Sequence, residues 1–179
     1  MNDELYERVI ESKLVYAGRL FNVKVDKVLT SWGRLTVREI VEHPGAVVII
    51  PLLDKESIIL VSQYRHAVGK VLLELPAGTL EAGEEPEKCA HRELEEETGF
   101  IAERMDKLVT LYLAPGYSTE KVHLYMASGL KKVGQKLEPD EKIKTVVLKI
   151  DNVVNMIVKG EIEDAKTVAG IMLLKMLIS

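Results

Sequence analysis

The segment from Gly78 to Gly99 constrains this 179-residue chain more than any other. It opens in a glycine-bearing loop, Pro76-Ala77-Gly78-Thr79 followed by Glu81-Ala82-Gly83-Glu84, and then runs without a breaker from Pro86 to Gly99. Proline suits the first turn of a helix, where its missing N–H would be unpaired anyway, and glycine suits the position just past the end. The pattern therefore predicts a loop followed by one helix. At about 100° per residue, Glu93, Glu96 and Glu97 fall within an arc of about 100°, with the apolar Ala90 and Leu94 beside them and Glu95 nearly opposite. Each exposed like-charge pair costs a helix about 0.2–0.5 kcal/mol, so helix stability does not ask for this face. A hard divalent cation would turn the repulsion into binding, because Mg²⁺ takes carboxylate oxygens and keeps several waters. Taken alone, the helix has a plainer reading as a solvated acidic face.

The acidity is local. Between Gly78 and Gly99, eight glutamates against Lys88 and Arg92 give −6, whereas the whole chain carries −4. The remainder is close to neutral, not basic, which argues against a general nucleic-acid binder. A single cysteine, Cys89, excludes an internal disulfide framework and a Cys-based zinc site. With 47% hydrophobic and 29% charged residues, the composition is that of a globular protein able to bury a core. The start, MNDELYERVIESK, is charged throughout and does not read as a signal peptide. The run Ala46–Leu53 is too short to span a bilayer. A cytoplasmic protein with no membrane partner is expected.

Along the chain, residues 1–13 read as a charged leader with helical character. Asn22–Leu29 and Leu35–Val41, joined at Ser31-Trp32-Gly33, read as an antiparallel hairpin. After His43-Pro44-Gly45, strands are expected at 46–53, 58–63, 71–75, 108–113, 122–127 and 144–150. Asp151 and Asp164 are placed to cap two final helices, and Met156, Met172 and Met176 read as core packing. A few helices around many short strands predict a layered α/β domain. The expected organisation is an N-terminal hairpin segment over 1–42 and a main domain over 43–179. Val23, Val25, Leu35 and Val37 must be buried somewhere, and a two-stranded hairpin is marginal alone.

The full spacing is Gly78-x5-Glu84-x7-Arg92-Glu93-Leu94-x-Glu96-Glu97-x-Gly99-Phe100. It resembles the Nudix box at every defining position. The resemblance implies a Nudix α/β/α sandwich with a mixed sheet, and a pyrophosphatase that uses Mg²⁺ or Mn²⁺. It also implies roles for the matched residues. Glu93, Glu96, Glu97 and the carbonyl of Ala77 become metal ligands. Arg92 holds the rotamers of the helix carboxylates, and Glu84 reaches the metals through water or steadies Arg92.

Outside the box, Arg38-Glu-Ile-Val-Glu42, Gln63-Tyr64-Arg65, Leu73-Glu-Leu-Pro-Ala-Gly78 and Ala114-Pro115-Gly116 through Glu120 resemble the branch that hydrolyses ADP-ribose and other nucleoside diphosphate sugars. That implies a small-molecule nucleoside diphosphate substrate, with ADP-ribose first, and a homodimer built through the hairpin. Arg65 is expected at the pyrophosphate. Arg38 is expected at the diphosphate or terminal ribose, or else in a hairpin salt bridge. Trp32 is expected against adenine or as a core plug, and Glu84 and Glu120 join the substrate-binding set. The loop 135–142 is expected to supply Glu141 as a further ligand. It leaves Glu138, Asp140 or a box glutamate as general base, because Pro139 stands near the position expected for that carboxylate. The alternatives are a different nucleoside diphosphate sugar, or a ligand-sensing module without turnover.

Overall fold

A computed structural model describes residues 5–137, 139 and 141–178. The chain divides into two compact units: one holds the chain up to Gly45 together with Tyr112–Lys121, and the other holds Ala46–Leu111 and Val122 onward.

In the first unit, β1 (Glu7–Ala17), β2 (Asn22–Thr30) and β3 (Leu35–Glu42) form an antiparallel meander in the order β1-β2-β3. The expected helical leader is thus a strand, and the hairpin has a third member. The spacing of Val9, Ile10, Leu14 and Val15 tolerates either period. These residues, with Tyr16, favour a pleated surface, and pairing with β2 from Glu7↔Thr30 to Ala17↔Asn22 decides the outcome. Lys27 Nζ donates to Glu11 Oε2 across the pair at 2.6 Å. The segment Tyr112–Lys121 pairs with the end of β3: Val41 N–H donates to Tyr117 O at 2.8 Å, and Thr119 N–H donates to Val41 O at 3.0 Å. Leu35 and Val37, expected to be covered, are exposed.

The second unit is layered. β4 (Ala46–Pro51) lies inside the sheet β7-β4-β9-β8, formed with β7 (Ala77–Thr79), β8 (Phe100–Tyr112) and β9 (Lys121–Lys132). It runs antiparallel to β7 and parallel to β9. A second sheet, β10-β5-β6, uses β5 (Ser57–Arg65), β6 (Lys70–Glu74) and β10 (Ile143–Lys149). Successive side chains of a strand point to opposite faces, and β4 is apolar at every position because both of its faces are covered. Val48 and Ile50 pack with Val153, Ile171 and Leu174 of α2 (Ile150–Val158) and α3 (Ala165–Ile178). Val47 and Ile49 pack with Cys89, Ala90 and Leu94 of the Pro86–Thr98 helical segment. The result is helix, sheet and helix in three layers, with the acidic helix fixed to one face of β4 through the apolar stripe beside its glutamates.

Three local expectations are corrected. Asp151 does not cap α2; the cap position is Lys149, with no side-chain hydrogen bond, and Asp151 accepts from Lys175 Nζ at 2.8 Å. Met172 and Met176 lie on the exposed side of α3, so of the three only Met156 packs against the core. The strand expected at 108–113 starts at Phe100, immediately after the helix. Asp164, by contrast, caps α3 as expected, its Oδ2 accepting from Thr167 N–H at 2.9 Å. No helix among the described residues is long and apolar enough to cross a membrane.

Candidate active site

The acidic segment is not one regular helix. It is α-helical over Pro86–Glu93 (α1) and then widens into a π-helical turn over Leu94–Thr98, closed by Gly99 at φ 74°. A π turn inside an α-helix leaves carbonyls that the ordinary ladder would bind, and such turns recur at functional sites. Here the loop after β9 takes them. Gln135 Nε2 donates to Glu97 O at 2.5 Å and Lys136 N–H to Glu96 O at 3.1 Å. Val133 and Gly134 N–H donate to Gly99 O at 2.8 and 3.0 Å. A side chain at Gly99 would collide with the Gly134–Gln135 backbone, so this glycine is needed for close approach as well as for its left-handed φ.

The turn separates the three glutamates. Glu97 is only 3% exposed, and its Oε2 accepts from Ala77 N–H at 2.9 Å. Glu93 is seated against Gly78, where a Cβ would fall on the Glu93 carboxylate itself. Glu96 is farther out. Arg92 organises the face: its Nε and Nη2 donate to the two Glu84 oxygens at 3.0 Å each, and its Nη1 donates to Glu93 Oε1 at 2.6 Å and Glu96 Oε2 at 3.0 Å. A guanidinium fork can hold several carboxylates in fixed geometry. Cys89 is buried beneath it, as expected, and burial pushes its thiol up to about 12.

Electrostatics divide the carboxylates into two kinds. Arg92 holds Glu84 down at about 2. Burial pushes Glu97 up to about 8, against the Ala77 hydrogen bond and with help from the Glu93 and Glu141 charges. Burial also raises Glu93, opposed by Arg92 and aided by Glu96 and Glu141. Glu141 is therefore within electrostatic reach of both. Among the described residues no three acidic, imidazole or thiol groups converge tightly enough to grip an ion as they stand, since Arg92 draws Glu93 and Glu96 and Ala77 holds Glu97. The donor set nevertheless fits a hard divalent cation: it is all carboxylate and carbonyl oxygen, and burial raises Glu93 and Glu97, which a bound cation would offset.

The other candidates are distributed as follows. Arg65 donates to Glu74 through Nε at 2.8 Å and Nη2 at 2.9 Å. Its charge also lowers Glu97, which puts it within reach of the acidic face. In the first unit, Arg38 pairs with Glu7, its Nε donating at 3.0 Å. Trp32 is 68% exposed in the β2–β3 turn and plugs no core. Glu120 is partly buried, with its N–H bonded to Ser118 Oγ at 3.1 Å. Glu138 and Asp140 lie outside the described residues. The sequence reading overlooked the buried Glu74, although a charge between Leu73 and Leu75 on a covered strand is its signal.

The NUDIX domain family matches residues 42–170. The chain belongs to the Nudix family. It is 36% identical over 174 residues to an ADP-ribose pyrophosphatase of Bacillus subtilis, covering 96% of this chain and 94% of that one. It is 39% identical over 172 residues to a methanol dehydrogenase activator of Bacillus methanolicus, covering 95% and 93%. A solved ADP compounds hydrolase superimposes with a TM-score of 0.86 at 25% identity, covering 97% and 95%. The α/β layers expected for a Nudix fold are thus present, and the chain is a Nudix pyrophosphatase.

Its box geometry makes one substitution informative. Gly78→Ala would place a methyl group on the Glu93 carboxylate and is expected to lower kcat about 10- to 100-fold, as a misplaced ligand does, while the circular dichroism spectrum stays unchanged. Wild-type turnover in Gly78→Ala would remove the seat assigned to Glu93.

Proposed function

We propose that this Nudix enzyme hydrolyses the pyrophosphate bond of ADP-ribose to AMP and ribose 5-phosphate, using Mg²⁺ or Mn²⁺, as a cytoplasmic homodimer. The observation that carries the reading is the pair formed by the buried Glu97 on the Ala77 N–H and the partly buried Glu93 in the seat left by Gly78. Relatives of nearly equal length that act on ADP-ribose or ADP compounds support the substrate. Glu93, Glu96, Glu97, Glu141 and the Ala77 carbonyl would hold the metal. Bound there, a divalent cation neutralises the diphosphate and lowers the pKa of the attacking water.

The chain's own groups do the rest. Arg65 binds a diphosphate oxygen. Glu84 joins it, and Arg38, Trp32 and Glu120 are kept as candidate substrate contacts carried by the first unit. A carboxylate, Glu138, Asp140 or a box glutamate, accepts the proton of the attacking water. The water oxygen bonds to phosphorus, the bridging P–O bond breaks, and the leaving phosphate keeps that electron pair.

The test is product analysis with Mg²⁺ on ADP-ribose against a panel of hexose-linked nucleoside diphosphates, in isotopically labelled water. AMP and ribose 5-phosphate with label in a phosphate oxygen are expected. Label only at ribose C1 would mean cleavage of the sugar bond and overturn the reading. The broader name of the solved relative, an ADP compounds hydrolase, favours a second reading in which another nucleoside diphosphate is the better substrate, and the same panel decides between them.

The dimer reading assigns residues 1–42 to assembly and 43–179 to catalysis. Its support is the apolar side chains that the first sheet leaves exposed, Val9 and Leu14 on one face and Tyr16, Leu35 and Val37 on the other, since apolar surface left open to water marks an interaction site. Sedimentation equilibrium at micromolar concentration should give twice the 20.0 kDa chain mass. A 20.0 kDa species throughout would end the claim.

A further inference from the structure

A charge network lies behind Arg65, and the chemistry above uses none of its other members. Glu74, at the end of β6, is 1% exposed. Its two oxygens face two cations: Arg65 at the end of β5 donates to both, and Lys166 Nζ donates to Oε2 at 2.5 Å. Lys166 also donates to Asp164 Oδ1 at 2.8 Å. Asp164 Oδ2 accepts from the Thr167 N–H at 2.9 Å and hydroxyl at 2.6 Å. Thr167 Oγ1 in turn accepts from Leu75 N–H, the residue after Glu74, at 2.8 Å. The ring closes through the first turn of α3 and back to β6. A lone buried carboxylate would be costly, and here every member has partners.

The asymmetry lies in exposure. The Arg65 side chain is the most exposed of the four charged groups, while Glu74, Lys166 and Asp164 are nearly covered. Nε and Nη2 of the guanidinium are both spent on a fixed anchor, Nη1 makes no hydrogen bond among the described residues, and the charge is close enough to lower Glu97. Held bidentate, an arginine loses little further freedom on meeting a phosphate.

We infer that Glu74 is a positioning residue: fixed by Lys166 and the Asp164–Thr167 cap, it holds the Arg65 guanidinium in place to receive a diphosphate oxygen of the substrate. This rests on the reading of Arg65 as a substrate contact. The anchor sets where the charge stands, and its contribution is to substrate binding more than to the chemical step.

The experiment compares steady-state kinetics of Arg65→Lys, Glu74→Gln, Glu74→Asp and the Arg65→Lys/Glu74→Asp double variant on ADP-ribose with Mg²⁺. Glu74→Asp keeps the buried charge but withdraws it by one methylene, so it is the decisive variant if Glu74→Gln fails to fold. The expected result is a KM raised about tenfold in each single variant, with kcat within about threefold of wild type. The double variant should be little worse than Arg65→Lys, as for groups acting as a unit. A purely structural role for Glu74 would instead leave KM unmoved in Glu74→Asp, or would add fully to Arg65→Lys, and either result overturns the positioning role alone. An unchanged KM in Arg65→Lys overturns the Arg65 contact and the inference with it.

Discussion

Glu93→Gln and Glu97→Gln are each expected to lower kcat by about 10²–10³, with folding intact. A metal ligand contributes several kcal/mol of charge stabilisation to the transferring phosphoryl group, and each 1.36 kcal/mol is tenfold in rate. Glutamine keeps the shape and one acceptor oxygen, so Glu97→Gln retains the bond from Ala77 N–H while losing the charge. Glu95→Gln is the control. Glu95 pairs with the exposed Lys136 at 2.6 Å, and such a surface pair contributes about 0–1 kcal/mol. Single-turnover rates at saturating Mg²⁺ are the measurement. Near-wild-type rates in either ligand variant, or a comparable loss in Glu95→Gln, would remove the metal assignment from this helix.

Chelation should make stability depend on pH in a direction opposite to ordinary acid denaturation. The Glu97 carboxyl sits at about 8 in the folded chain and at its ordinary 4.5 when unfolded. Below 4.5 both states are protonated and nothing is lost. Between 4.5 and about 8 the folded state holds the extra proton, so stability falls as pH rises. The gap caps the loss at roughly 5 kcal/mol, or on the order of 10 °C in Tm for a chain this long. Glu93, raised in the same direction, adds to it. A divalent cation supplies the missing positive charge, so melts in excess Mg²⁺ should be nearly flat over the same range. Glu97→Gln in EDTA should lose most of the slope. The Glu84–Arg92 pair acts in a separate window: Glu84 is held at about 2, so its contribution is present above 4.5 and fades only as pH falls toward 2. Thermal melts in EDTA that stay level from pH 5 to about 8, or that slope equally in Glu97→Gln, would contradict the burial assigned to Glu97.

Reading the chain alone, one reaches the box, its carboxylates, the layered α/β class and the strand order along the sequence, because each depends on local spacing. Glycine at 78 and 99, proline at 86 and the 93/96/97 interval are short-range signals, and the all-apolar Ala46–Pro51 run reports a strand covered on both faces. What local pattern could not decide was settled by partners distant in sequence. β1 is a strand because β2 pairs with it, though its own spacing suits either period. The acidic helix widens into a π turn because Gln135 and Lys136, some forty residues on, take the carbonyls of Glu97 and Glu96. That turn leaves Glu97 buried and Glu96 only partly covered where a regular helix would present them alike. Glu74 finds Lys166 across 92 residues. The spacing of Glu93, Glu96 and Glu97 alone determined that an acidic face would exist. Only tertiary packing decided which of its carboxylates lost contact with water, since desolvation depends on what the rest of the chain lays over each group.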